Sequence, residues 1–194
     1  MDKFSYALGL GIGQNLLSMG ASALNVDDFA HAVKDVLEGK KTEMTHAEAK
    51  EIVSKFFAEL QDKAIKENKE NGEIFLERNK EKPGVVVLPS GLQYEVIEKG
   101  HGRKPGKNDR VKCHYEGTLV NGMVFDSSYE RKEPAVFGVS QVIPGWVEAL
   151  QLMQEGDKWK LYIPSELAYG ANGAGELIMP HSTLIFTVEL LEVL

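Results

Sequence analysis

At Pro83-Gly84 the chain changes texture, and that break constrains its fold more than any other feature. Proline has no N–H and pushes the residue before it out of helical geometry, and glycine has no helical preference, so the pair ends any helix that reaches it. Before the break, apolar residues recur at helical spacing; after it they alternate as in strands. The 194 residues therefore divide into a helical segment, 1–82, and a strand-rich segment, 83–194, an α+β chain overall. No internal repeat or low-complexity tract is present, and no apolar run reaches the roughly 18 residues of a membrane-spanning helix.

Three helices are predicted in the first segment. Leu8, Ile12, Leu16 and Met19 share one face. Asn25 with Asp28 forms a capping arrangement ahead of Phe29, Ala32, Val33, Val36 and Leu37, and Gly39 stands where a helix end needs positive φ. Thr45 with Glu48 is a second capping box, followed by a stripe of Ala49, Ile52, Val53, Phe56, Leu60 and Ala64. From Lys63 to Lys82 the pattern is mostly charged, which reads as the polar spacer end of a long linking helix. So short a helical segment cannot enclose its own Phe56–Leu60 stripe. Its apolar faces are expected to close on each other and on a second copy, making a homodimer; the alternative is that they pack on the strand-rich segment. The first residues loosely imitate a secretory signal, with Lys3, apolar Phe4–Ile12 and small Ala21-Ser22-Ala23. Asp2, the glycines at 9, 11 and 13, and Gln14-Asn15 interrupt that imitation, so cytoplasmic retention is expected; a periplasmic protein is the alternative if the segment is cleaved.

In the second segment Val85–Leu88, Leu92–Ile97, Val111–Tyr115 and Thr183–Leu194 read as strands, and Asn121-Gly122 as a hairpin turn. A short helix is predicted from Gly145 to Met153, where Trp146, Ala149, Leu150 and Met153 share a face. The expected module is an antiparallel sheet wrapped on that helix.

Much chemistry is excluded. A net charge of −7 gives no basic face for nucleic acid. Gly9-x-Gly11-x-x-Gln14 follows no strand and lacks the third glycine of a dinucleotide site. The five histidines form no ligand pair, so neither metal nor cofactor is expected. Cys113 alternates with Val111 and Tyr115 as a core residue, and Ser127-Ser128 has no base beside it. What the second segment does contain is aromatic residues next to glycine or proline. Composition alone leaves two readings open, a plain core or the floor of an apolar site.

His114–Leu119, Gly122–Ser128, Val142-Ile143-Pro144-Gly145-Trp146, Leu167–Gly170 and Pro180–Phe186 resemble, in order and spacing, the signature segments of the FK506-binding (FKBP-type) peptidyl-prolyl isomerases. The likeness spans Leu88–Leu194. More weakly, Tyr6-x-x-Gly9-x-x-x-Gly13 and Val26–Gly39 resemble the dimerisation domain of the bacterial Mip and FklB subgroup. The resemblance implies an enzyme that accelerates Xaa–Pro rotation in proline-containing and unfolded polypeptides, with chaperone-like holding, and a possible ligand of the FK506 or rapamycin macrolide type. It implies a substrate site of Tyr115, Phe125, Phe137, Val142, Ile143, Trp146, Tyr169, Ile178 and Phe186, with Asp126, Tyr169 and Tyr115 acting on the bond. Asp126 then either orients Tyr115 or acts electrostatically on the twisted carbonyl; its third reading is a turn cap before Ser127. Two departures from the pattern are Ala135, where many members carry an aromatic residue near Phe137, and a glycine-rich 170–179 loop with Glu176.

Overall fold

The computed structural model describes residues 1–194, which form two compact units, Met1–Lys63 and Ala64–Leu194. In the first unit the local signals set the helices. Helix α1 (Lys3–Ser18) is capped by Asp2, whose carboxylate accepts from the Ser5 N–H at 2.7 Å. The Asn25 side chain caps α2 (Val26–Leu37) by accepting from the N–H groups of Asp27 and Asp28. Helix α3 (His46–Asn79) opens on the reciprocal box: Thr45 donates to Glu48 through its N–H and its hydroxyl, both at 2.8 Å, and accepts from the Glu48 N–H. No residue of α1 is buried, and Phe4, Tyr6, Leu8, Leu10 and Leu17 are all exposed.

The second unit is a seven-stranded antiparallel sheet. Its strands are β1 (Val85–Val87), β2 (Gln93–Glu98), β3 (Arg110–Leu119), β4 (Val124–Ser127), β5 (Ala135–Gly138), β6 (Lys158–Ile163) and β7 (Leu184–Val193). The order is β1-β2-β6-β7-β3-β4, with β5 also paired to β3. Helix α4 (Pro144–Leu150) lies against the inner face, where Trp146, Ala149 and Leu150 join Leu92, Val111, Leu161 and Val188 in the core. Helix α4 is shorter than the apolar spacing predicts. It ends at Leu150, and the N–H groups of Leu152 and Met153 turn back to the Ala149 carbonyl, which still buries Met153 completely.

The charged end of α3 is not a free spacer. Tyr162 of β6 points to the outer face of the sheet, opposite Trp159, Leu161 and Ile163, and is nevertheless buried. Phe75 of α3 covers it, with ring centroids 5.9 Å apart. Asn68 donates to the Pro180 carbonyl at 2.9 Å and to the Ser182 hydroxyl at 3.0 Å. Asn79, fully buried, donates to Gln93, which in turn donates to the Leu76 carbonyl. The helix approaches so closely that a Cβ on Gly72 would lie 2.5 Å from Thr183 Oγ1. This docking places the unit boundary inside α3, ahead of Pro83.

Gly→Ala in an exposed helix interior normally gains up to about 1 kcal/mol. At Gly72 the sign reverses: the clash with Thr183 is expected to cost about 1–3 kcal/mol, read as a lower urea midpoint for Gly72→Ala than for the parent chain.

Candidate functional site

One concavity in the second unit, about 330 Å³, gathers side chains from distant parts of the sequence. Its floor is Trp146, placed by the start of α4: Pro144 occupies the first helical turn, where a missing N–H costs nothing, and the Trp146 N–H closes on the Ile143 carbonyl at 2.9 Å. The indole is 3% exposed. Three rings meet it at steep angles: Tyr115 at 5.4 Å and 87°, Phe137 at 5.6 Å and 79°, and Phe186 at 5.3 Å and 85°. Such edge-to-face pairs set the positive ring edge against the negative face. Phe125 completes the wall, 5.5 Å from Phe186. Gly117 makes that pair possible, since a Cβ there would stand 2.5 Å from Phe125 and 2.7 Å from Phe186. Val142 and Ile143 line the approach to α4, and Tyr169, 40% exposed, stands at the rim.

The polar edge is a closed network. Asp126 lies within β4, opposite Gly117, rather than in the turn that follows. Its carboxylate accepts from the Tyr115 hydroxyl at 2.5 Å and from the Arg131 guanidinium, while Arg131 also donates to the Tyr115 oxygen at 2.9 Å. Burial alone would push the Asp126 carboxyl up, but the bonds from Tyr115 and Arg131 outweigh it and hold the carboxyl below its ordinary value. Tyr115 moves up, first from burial and then from its bond to Asp126.

The structure brings together Tyr115, Phe125, Asp126, Phe137, Val142, Ile143, Trp146, Tyr169 and Phe186. Ile178 does not line the cavity; it packs in the core beneath it, with its N–H and carbonyl tied to Ala174. Ala135 is half-buried against the same core. Sequence reasoning missed Gln141, which lines the cavity, and Arg131. Arg131 carries no local signal; it is brought back to Asp126 by the turn over 127–131, which closes through the Arg131 N–H on the Ser127 carbonyl at 3.4 Å. Cys113 is fully buried, and burial pushes its thiol up to about 12, far from a nucleophile's range. Contrary to the sequence reading, a base does stand beside Ser128: His114 Nδ1 is 2.9 Å from its hydroxyl, which also accepts from the Tyr115 N–H and lies 3.1 Å from the Tyr115 carbonyl, but Ser128 is completely buried and lies outside the cavity. No three His, Cys, Asp or Glu side chains stand together as a metal site.

Residues 101–191 match the family model described as FKBP-type peptidyl-prolyl cis-trans isomerase, and residues 1–96 match the domain amino terminal to it. The outer membrane protein MIP of Legionella longbeachae is 46% identical over 99% of this chain and 85% of its own length. The chain belongs to the FKBP-type peptidyl-prolyl cis-trans isomerases. The FKBP-type 22 kDa isomerase of Escherichia coli (strain K12) is also 46% identical, covering 98% of this chain and 94% of that one. Among solved structures, FkpA from Escherichia coli superposes with a TM-score of 0.81 at 35% identity, covering 98% of this chain and 95% of its own. A Pseudomonas syringae isomerase matches with a TM-score of 0.62 at 42% identity, over 66% of this chain and 94% of its own. The whole-chain match to FkpA bears out the α+β reading, with a helical segment followed by the FKBP sheet, and the enzyme is a peptidyl-prolyl cis-trans isomerase.

Because the folded Asp126 carboxyl sits below its unfolded value, its contribution is complete above the ordinary carboxylate range and is lost as pH falls through the folded value. The stability gap between the parent and Asp126→Asn should therefore be widest above about pH 5 and shrink toward about pH 3, as followed by urea denaturation at each pH.

Proposed function

We propose that the concavity over Trp146 seats the prolyl ring and is where this isomerase turns the Xaa–Pro bond. The observation that carries this is a buried indole floor walled by aromatic rings, with its one carboxylate already held by a donor on each oxygen. The reaction asks for no more. Rotation about the bond must break amide resonance, a barrier of roughly 18–20 kcal/mol, and takes tens of seconds unaided, but no bond is made and no proton transferred. A pocket that excludes water from the amide disfavours the polar planar form and holds the twisted one.

Trp146, Phe125 and Phe186 grip the ring, Phe137 and Val142 wall it, and Ile178 supports the floor from the core. The Tyr169 hydroxyl and the Ile143 N–H donate to carbonyls on either side of the bond. Asp126 acts as a positioning residue that fixes the Tyr115 hydroxyl, a reading supported by their 2.5 Å contact. The same pocket suits the ring of an FK506-type macrolide.

The test is cis-to-trans isomerisation of a short Xaa–Pro peptide. Trp146→Ala and Tyr169→Phe should each lower kcat/KM by about tenfold or more, equivalent to 1.4 kcal/mol, with near-native circular dichroism. Unchanged turnover in both folded variants would remove the pocket from the reaction.

The working form in this reading is a homodimer through α1 and its neighbours, holding unfolded chains between two isomerase units at raised effective concentration. Supporting it are the exposed apolar residues of α1 and a groove of about 570 Å³ that includes Leu16, Met19, Phe29 and Phe56. Gly9 and Gly13 have open space around their Cβ positions, so Gly9→Leu with Gly13→Leu costs the single chain nothing sterically. In sedimentation the parent should run as a dimer and that variant as a monomer with full tetrapeptide turnover. As for compartment, the name of the Legionella relative favours an exported protein over cytoplasmic retention. Release by osmotic shock is the expected result, and co-fractionation with cytosolic markers would reverse it.

A further inference from the structure

Away from the aromatic pocket, the second unit carries a groove of about 610 Å³ between the last turns of α3, the β3–β4 hairpin and the 177–182 segment. Its apolar strip is unusually open: Ile74, Met123 and Leu177 are 48%, 41% and 45% exposed. Asn79 borders it and is completely buried. The orientation of that amide follows from its neighbours. Gln93 Nε2 donates to the Leu76 carbonyl, so Gln93 offers Oε1 to Asn79, and Asn79 must answer with Nδ2. Asn79 Oδ1 is left without a donor. That acceptor is sealed from solvent and belongs to the packing beneath the groove, not to its open surface. Arg78 and Lys82 line the same groove. Lys82 lies 5.7 Å over the Phe75 ring, and neither cation is ion-paired, although the chain carries net charge −7.

We infer that this groove binds an extended polypeptide segment with an apolar side chain beside a carboxylate, contributed by the client whose prolyl residue occupies the Trp146 pocket. Each part of such a segment has a counterpart. An apolar side chain covers the Ile74–Leu177 strip, and a carboxylate meets Arg78 and Lys82. A small free anion would leave the apolar strip uncovered. Proximity to the pocket comes from one stretch of chain: Leu177 and Met179 border the groove, while Ile178 between them packs in the core cluster that contains Trp146 and Phe186. The pairing of groove with pocket rests on the prolyl site proposed above; binding in the groove itself does not.

The experiment uses the full chain and fluorescein-labelled peptides of about 16 residues, long enough at roughly 3.3 Å per residue to lie across one face of the unit. One peptide carries Leu-Pro and a separate Leu-Glu-Leu cluster, a second replaces the cluster by Gly-Ser-Gly, and a third keeps the cluster but replaces proline by alanine. Anisotropy titration should show the cluster tightening binding about tenfold, with the proline-free peptide still preferring the parent protein over Arg78→Glu/Lys82→Glu. That double variant should lose the gain while keeping the parent's turnover on a tetrapeptide. Equal binding of the first two peptides, or an undiminished gain in the double variant, overturns the inference. Absence of tetrapeptide turnover in the parent counts against the prolyl site instead, and the proline-free peptide still reports on the groove.

Discussion

Everything in the second unit is arranged around one indole. Trp146 is both a core residue and a pocket floor, and the two roles make opposite demands: a core wants every face covered, a pocket wants one left open. Edge-to-face packing of Tyr115, Phe137 and Phe186 reconciles them, because the three rings meet the indole at 79–87° and do not stack flat upon it. The arrangement still has a cost. Trp146 Nε1 is buried with no acceptor, as is Nε1 of Trp159 elsewhere in the core. The backbone around it is built to permit this crowding, through Pro144 at the start of α4 and Gly117 under the Phe125–Phe186 pair.

The polar rim obeys a similar economy. A carboxylate in an apolar pocket would normally drift toward its neutral form. Asp126 stays ionised because Tyr115 and Arg131 both donate to it, which also leaves it little capacity to accept a proton from anything else. That agrees with the proposed site, where a rotation would call for fixed dipoles and a dry surface and not for proton transfer.

How much of this was legible in the sequence depended on the range of the interactions. Capping by Asn25 and the Thr45–Glu48 box works across three residues, so the helix starts could be read directly. The Pro83-Gly84 break was equally local. By contrast, the docking of α3 uses Asn68, Gly72 and Asn79, residues that look solvated on a charged helix, and the partner of Asn68 lies 112 residues away. Strand β6 went unremarked although Trp159, Leu161 and Ile163 alternate with lysines, because Tyr162 breaks the expected polar outer face; only the cover from Phe75 explains it. The pocket residues came from family resemblance, since composition could not separate a site from a core. Arg131 was out of reach of both, brought in by the turn that closes its N–H on the Ser127 carbonyl.

The floor and the rim of the pocket belong to different kinds of structure. Trp146 and Phe186 are fixed in α4 and β7, whereas Tyr169 opens a glycine-rich loop, with positive φ at Gly170, Gly173 and Gly175, closed on itself by the Ala174–Ile178 pair. Within that loop Ile178 and Ala174 pack on the core, whereas Ala171, Asn172 and Glu176 are exposed, so substitutions at those three can reshape the rim while leaving the core packing untouched. Selectivity and foldability are therefore separately adjustable in this molecule, and descendants of it have room to diverge in diet without having to relearn how to fold.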